Sequence, residues 1–298
     1  MTQEASKKPR IKVFLEARYR KFVRDLPQTI LYCPVCKGRG RDRCPRCEGF
    51  GKLTRDSVQE IIARKVLRAY RSREGKFHGA GREDIDVRML GDGRPFVFEV
   101  VAPKNLLVDL DELREEILDY GHGRIEVTTL VPVPRSRVSE IKETRSSKRY
   151  CALVEVDELM SAEEVDELVG MVIDVTQRTP QRVAHRRADL ERQRRVVIRD
   201  AWLEARTIEE EEDEVTMLGI EIECEHGTYV KEWISGEGGR STPSLADLVD
   251  ADTLCVALDV LSVQGAFGSA KGTRAPCFAD ETGWPPPFTT DDDPWACL

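Results

Sequence analysis

Apolar residues after Ser57 fall at Val58, Ile61, Ile62, Val66 and Ala69, the spacing of one helical face, and Ser57-Val-Gln-Glu60 has the form of a capping box. This predicts a helix ending near Tyr70. The stretch 84–101 alternates apolar and polar residues instead, in two runs, IDVRML and FVFEVV, on either side of GDGRP, which predicts a hairpin. A second helix is predicted over 110–120, capped by Asp109 and stopped at Gly121, and a third after Ser161-Ala-Glu-Glu164. Long alternating segments at 125–131, 151–156, 196–206 and 215–224 predict a substantial sheet with helices packed against it. The fold class is α+β.

Three segments break this rhythm. The basic stretch 7–24 shows no core of its own and reads as the tail of something larger. The acidic run at 209–214 lies between strand-like segments and reads as a solvated hairpin tip. Beyond Val263 the chain loses periodicity and fills with Gly and Pro, so a loosely ordered tail is expected.

A formal charge of -8 with 34% charged residues excludes a uniformly basic surface but allows a local one. There is no run of eighteen apolar residues, and MTQEASKKPR has no hydrophobic signal core, so the expected compartment is the cytoplasm. Four of the nine cysteines form two C-P-x-C-x-G-x-G repeats, CPVCKGRG and CPRCEGFG. Cys33, Cys36, Cys44 and Cys47 therefore make a four-thiolate set suited to tetrahedral zinc, with glycines that let the backbone wrap the sulfurs. Such a site has no open coordination position, so its zinc is expected to be structural. A redox role would need a thioredoxin-like βαβ pattern, and none follows. The knuckles also resemble the cysteine-rich region of Hsp40-type chaperones, which has more copies and no enzyme-sized domain behind it.

Read as a strand, GREDIDVRML buries Ile85 and Val87 and leaves Asp84, Asp86 and Arg88 together on the other face. Alternation alone does not rank the two aspartates. The ordered set FHGAGREDIDVRMLGDGRPFVFEV, SSKRYCALVEV, QRTPQRVAHRRADL and EHGTYVKEWISGEGGRSTPSLADL resembles the archaeal tRNA pseudouridine(54/55) synthase family, from about Ala17 to Val263 and including the cysteine module. The resemblance implies a tRNA-modifying isomerase without a catalytic cofactor. It implies Asp84 as nucleophile with Arg82 handling substrate nearby, and Tyr150 of Lys148-Arg149-Tyr150 packing on the flipped uracil and assisting proton loss from C5. It further implies Lys231 as the cationic partner of Asp84, Tyr229 as a pocket residue, and Leu245 or Leu248 as the apolar wall.

The chemistry asks for these residue types. Pseudouridine formation breaks N1–C1′, turns the uracil and rejoins through C5, and a carboxylate suits covalent catalysis at either the sugar or the base. A cation within a few ångströms lowers an aspartate pKa by about 1 to 3 units. An aromatic face replaces the stacking lost by an extruded base. Residues 178–199 add eight arginines, among them Arg182, Arg186 and Arg187, against two acids, a net charge of +6 suited to RNA phosphates. The expected organisation is a basic remnant of an N-terminal RNA-binding domain at 1–28, the zinc knuckle at 29–55, the catalytic domain at 56–263 and the tail at 264–298. Family members carry a THUMP-type domain ahead of this region, so a protein partner supplying RNA-binding surface is a further expectation. The rival reading is a non-catalytic RNA-binding zinc protein that keeps the fold.

Overall fold

The computed structural model describes residues 11–40, 44–185, 187–204 and 215–263. The acidic run, the expected tail and Arg186 lie outside them. The chain divides into two compact units, Met1–Thr144 and Arg145–Leu298, a division inside the span read as one catalytic domain. Among the described residues no helix is long and apolar enough to cross a membrane.

In the first unit, β1 (Lys12–Lys21) pairs antiparallel with β3 (Arg88–Val101), and β3 with β2 (Glu74–Gly79). On its other side β1 pairs with β4 (Ile125–Val127) and β5 (Val131–Pro132). Residues 12–21 of the basic opening stretch are therefore a strand of this sheet. The strand's apolar residues Leu15, Ala17 and Tyr19 alternate inward, but Glu16 and Arg18 between them and the Lys and Arg residues at the strand ends mask the pattern in the sequence. Helix α1 (Val58–Ala69) starts where predicted, with the Ser57 hydroxyl accepting from the Glu60 amide. Helix α2 (Leu110–Gly121) is capped by Asp109, which accepts from the amides of Asp111 and Glu112. A short α3 (Arg137–Glu143), absent from the sequence reading, packs Ile141 on Phe14 and Val97.

The hairpin expected at GDGRP does not form. Residues 88–101 are one strand, and its register against β1 jumps from Tyr19↔Arg94 to Lys21↔Met89. Gly91 (φ 52) and Gly93 (φ 73) adopt left-handed backbone there, and a Cβ on Gly93 would stand 2.7 Å from the Tyr19 carbonyl. Turn-forming glycines thus serve a bulge that keeps the strand going.

The second unit is an antiparallel sheet in the order β10 (Ser241–Thr242), β7 (Val172–Arg178), β8 (Glu191–Leu203), β9 (Thr216–Cys224), β6 (Lys148–Val156), β11 (Thr253–Ser262). All nine residues of β9 are buried, including Glu221 and Glu223, each 1% exposed and paired with Arg149 and Arg199. Helix α4 (Ala162–Leu168) follows the predicted capping box and packs on β8. Three short helices, α5 (Gln181–Ala184), α6 (Val230–Ser235) and α7 (Leu245–Val249), lie between strands. The α+β class expected from the sequence is the one observed.

Candidate active site and metal-ligand cluster

The segment holding Asp84 is not the strand its alternation predicts. Residues 80–87 form an irregular loop between β2 and β3; Ile85 is half-buried, Arg88 is buried, and Asp84 and Asp86 are both half-buried. The buried acid is Glu83. Its carboxylate accepts from the Tyr19 hydroxyl at 2.6 and 2.8 Å and stands 2.7 Å from Arg94 Nε, with the Glu83 and Arg94 side chains 0% and 1% exposed. Burial first, and then the Glu83 charge, holds the Tyr19 hydroxyl pKa well above its ordinary value, so it stays a donor.

An irregular buried loop must find donors for its carbonyls outside the strand ladder. Arg94 Nη1 donates to Ala80 O at 2.9 Å and Gln28 Nε2 to Gly81 O at 3.0 Å. Lys21 Nζ donates to Ile85 O at 3.0 Å, to Asp84 O at 3.3 Å and to Leu26 O at 2.7 Å, and Arg24 Nη1 donates to Asp86 O at 3.1 Å. Burial takes the Lys21 ammonium from 10.5 down to about 8, against the opposing pull of Glu83 and Asp86. Five loop carbonyls are therefore fixed by side chains from β1, the segment after it and β3, and the backbone carrying Asp84 is set by charge. Arg82, beside it, is exposed.

The remaining expected residues belong to the second unit. Tyr150 is 9% exposed on β6, in register with Ile222 of β9 and Val260 of β11. Tyr229 is the N-cap residue of α6, and Lys231 is the second residue of that helix. The buried Gln177 side chain grips Tyr229 through both backbone groups, accepting from its amide at 2.8 Å and donating to its carbonyl at 2.9 Å. Arg182 lies over the Tyr229 ring, 6.0 Å from its centroid, and pairs with Glu232 of the same helix. Leu245 opens α7 fully buried, while Leu248 is half-buried. Arg182, Tyr229 and Lys231 are thus gathered around α6, and α7 packs against that helix.

The four cysteines converge as expected. Their sulfurs all lie within 4.8 Å of one another, with Cys33–Cys44 at 3.7 Å and Cys36–Cys47 at 3.6 Å. Sulfurs at tetrahedral zinc distance stand roughly 3.8 Å apart, so the set fits a four-coordinate metal. The repeats fold alike: Lys37 and Gly38 (φ 52 and 75) match Glu48 and Gly49 (φ 50 and 90). The Gly51 amide donates to Cys47 Sγ at 3.2 Å. Burial alone would raise the Cys36 thiol, but hydrogen bonds from the Cys47 thiol and the Gly40 amide override it and bring it to about 6.

Comparison with known proteins decides the kinship. Residues 14–264 match the family model described as Pus10, C-terminal. The chain belongs to that family. It is 43% identical over 263 residues to a tRNA pseudouridine synthase Pus10 of Methanothrix thermoacetophila, covering 88% of this chain and 55% of that protein. A Methanocaldococcus jannaschii protein of the same name is 43% identical over 253 residues, covering 84% and 53%. The chain spans about half the length of the curated relatives it matches. Among solved structures, a Cbf5-Nop10-Gar1 complex matches at 16% identity and a TM-score of 0.35, covering 68% of this chain and 44% of that one, too distant to carry an argument.

In this Pus10 C-terminal chain the arginine-rich segment is less bare than its +6 charge suggests. Arg178 pairs with Asp189, Arg195 with Asp174 at 2.8 Å, Arg199 with Glu223 and Arg182 with Glu232, while Arg240 adds a second cation on Asp189. Acids from β7, β9 and α6, distant in sequence, neutralise much of the strip. Arg187 is exposed just beyond α5. Alternation could not find Glu83, Tyr19, Lys21, Gln28 and Arg94, because their partners are loop carbonyls and one another. The available signal was the position of Glu83, between Arg82 and Asp84 in the family motif.

Proposed function

We propose that this chain isomerises uridine to pseudouridine in tRNA, at T-arm positions 54 and/or 55, with Asp84 as nucleophile. Support comes from its 43% identity, over 88% of its length, to a protein named for that reaction. The loop adds a physical reason: a nucleophile must be held in place, and charge fixes the backbone on both sides of Asp84. In this reading the Asp84 carboxylate attacks the flipped nucleotide while the N1–C1′ bond breaks. The freed uracil turns and rejoins C1′ through C5, and the bond to Asp84 breaks so that the carboxylate is regenerated. The C5 proton leaves with the help of Tyr150 while N1 takes up a proton, so the isomerisation is balanced. Lys231 neutralises the Asp84 charge, Arg82 with Arg182, Arg186 and Arg187 engages phosphates, and Tyr229 with Leu245 or Leu248 shapes the base pocket. No electrons are gained or lost, so no redox cofactor is required. The cysteine cluster holds zinc as a structural element, and a partner protein supplies further RNA-binding surface.

The deciding experiment incubates a tRNA transcript with purified protein and maps pseudouridine by carbodiimide primer extension. Wild-type protein is expected to mark the T-arm. Asp84→Asn is expected to lose at least about a thousandfold in turnover while tRNA affinity stays within a few fold, because the nucleophile goes and little contact area does. Full activity in that variant would overturn the assignment. Tight tRNA binding with no modification at any enzyme ratio would favour the non-catalytic binder.

A further inference from the structure

The second face of the first sheet carries a feature that the proposed chemistry does not use. Register places Lys76 of β2, Glu99 of β3 and Phe14 of β1 side by side, with Lys12 and His78 in the adjoining rows of the same face. The segment entering α3 closes over them with Arg135, Ser136, Val138 and Ser139. Together these residues line a cavity of about 430 Å³. Its apolar lining is Phe14 and Val138, which belong to a packed cluster with the buried Val97 and Ile141. Its walls are cationic.

The balance of these charges matters more than their number. Glu99 is the one carboxylate in the lining, and it is already engaged, 2.6 Å from Lys12 Nζ and 3.0 Å from His78 Nε2. Among the described residues Lys76 and Arg135 have no ion-pair partner, and neither does Lys142, which acts on His78 from α3. The arginine strip of the second unit differs, since its cations largely face acids. The positive field at the cavity is visible in His78 itself. Burial chiefly, then the charges of Lys142 and Lys76, lowers its pKa despite the neighbouring Glu99. A concave site whose cations outnumber its one carboxylate, which Lys12, His78 and Lys76 share, focuses its field on an incoming anion.

The geometry points to a phosphodiester-binding cleft in the first unit, in which Lys76 and Arg135, with the Ser136 and Ser139 hydroxyls, receive a backbone phosphate of the RNA substrate. The volume exceeds what a lone phosphate needs, leaving room for flanking ribose against the apolar lining. The choice of RNA rests on the proposed function; the cleft itself does not depend on Asp84. Its test reads affinity alone, so an inactive protein can still confirm it and an active one can still refute it.

The experiment is filter binding of tRNA transcript to the full chain across a salt series, comparing wild type, the double variant Lys76→Ala/Arg135→Ala, and Arg20→Ala as a control on a surface arginine already paired with Glu126. The double variant is expected to bind about tenfold more weakly, with a salt slope shallower by about one phosphate and an unchanged thermal midpoint. The control is expected to bind as wild type does. Equal affinity and slope in wild type and the double variant would overturn the cleft. The His78 resonances, followed by NMR against inorganic phosphate and uridine monophosphate, separate the sources. A response to those small anions with no effect of the double variant on RNA binding would reassign the cavity to a small phosphorylated ligand and overturn the RNA assignment.

Discussion

The cysteine module and the Asp84 loop are both irregular backbone in the first unit, and they are held by opposite means. Around the cysteines, four sulfurs surround a small cluster with one packed neighbour, Leu53, and little apolar core beneath. Around Asp84, fixed charges do the holding: Lys21, Arg24 and Arg94 donate to carbonyls, and Glu83 neutralises Arg94 from inside. With the zinc proposed above, the first region would depend on an exchangeable ion, whereas the second depends on groups that cannot leave. Chemistry that needs a carboxylate in one place is therefore better served by the second, and the module is better suited to bracing what surrounds it.

That contrast can be broken from the module side first. Purified protein is expected to carry about one zinc per chain, and metal-linked folding of such knuckles is worth roughly 10 kcal/mol or more. Stripping the metal with a chelator, or replacing Cys36 with Ser, should open residues 33–51 to protease while the strands of the first unit stay protected from hydrogen exchange. Metal-free protein with an intact module would remove the distinction. On the loop side, Glu83→Gln leaves the Arg94 charge buried without its counter-ion, a loss of about 3 to 5 kcal/mol that urea unfolding would register. A change below about 1 kcal/mol would mean that water or another group already compensates Arg94.

The smallest expected effect concerns pH. Lys21 titrates at about 8 when folded and near 10.5 when exposed, so the unfolded chain binds more protons between those values. The free energy of unfolding should therefore rise with pH across that window, by at most about 1.4 kcal/mol per pH unit from this group. Lys21→Met should flatten the rise. An unchanged stability profile from pH 8 to 10.5 would place the Lys21 pKa elsewhere.

Local signals in the sequence were legible where one element supplies its own partners. Ser57, Asp109 and Ser161 cap helices through neighbours within three residues, and the cysteine spacing encodes its own cluster. Signals failed where the partner is remote. Lys and Arg disguised β1, since only pairing with β3 shows which side of it is buried. GDGRP has the composition of a turn whether it ends a strand or bulges it. The pairing of the arginine strip was equally invisible, because Arg195 and Asp174 lie on neighbouring strands joined by a long connection. For the site itself, residue pattern left Asp84 level with Asp86, and family resemblance separated them.

The bulge at Gly91–Gly93 has a meaning best put as arithmetic. Between Tyr19 and Lys21 the first strand advances two residues while its partner advances five, from Met89 to Arg94. The surplus is three, an odd number, and in a strand an odd surplus exchanges inside for outside. Met89 counts inward on one parity and Arg94, Phe96 and Phe98 on the other. Deleting or adding one residue there would leave the chemistry of every side chain intact, yet it would turn Arg94 away from Glu83 and send Val97 and Glu99 into the place of Phe96 and Phe98. What is specified at this point of the chain is a length, and the Asp84 loop inherits its counter-ion from that count.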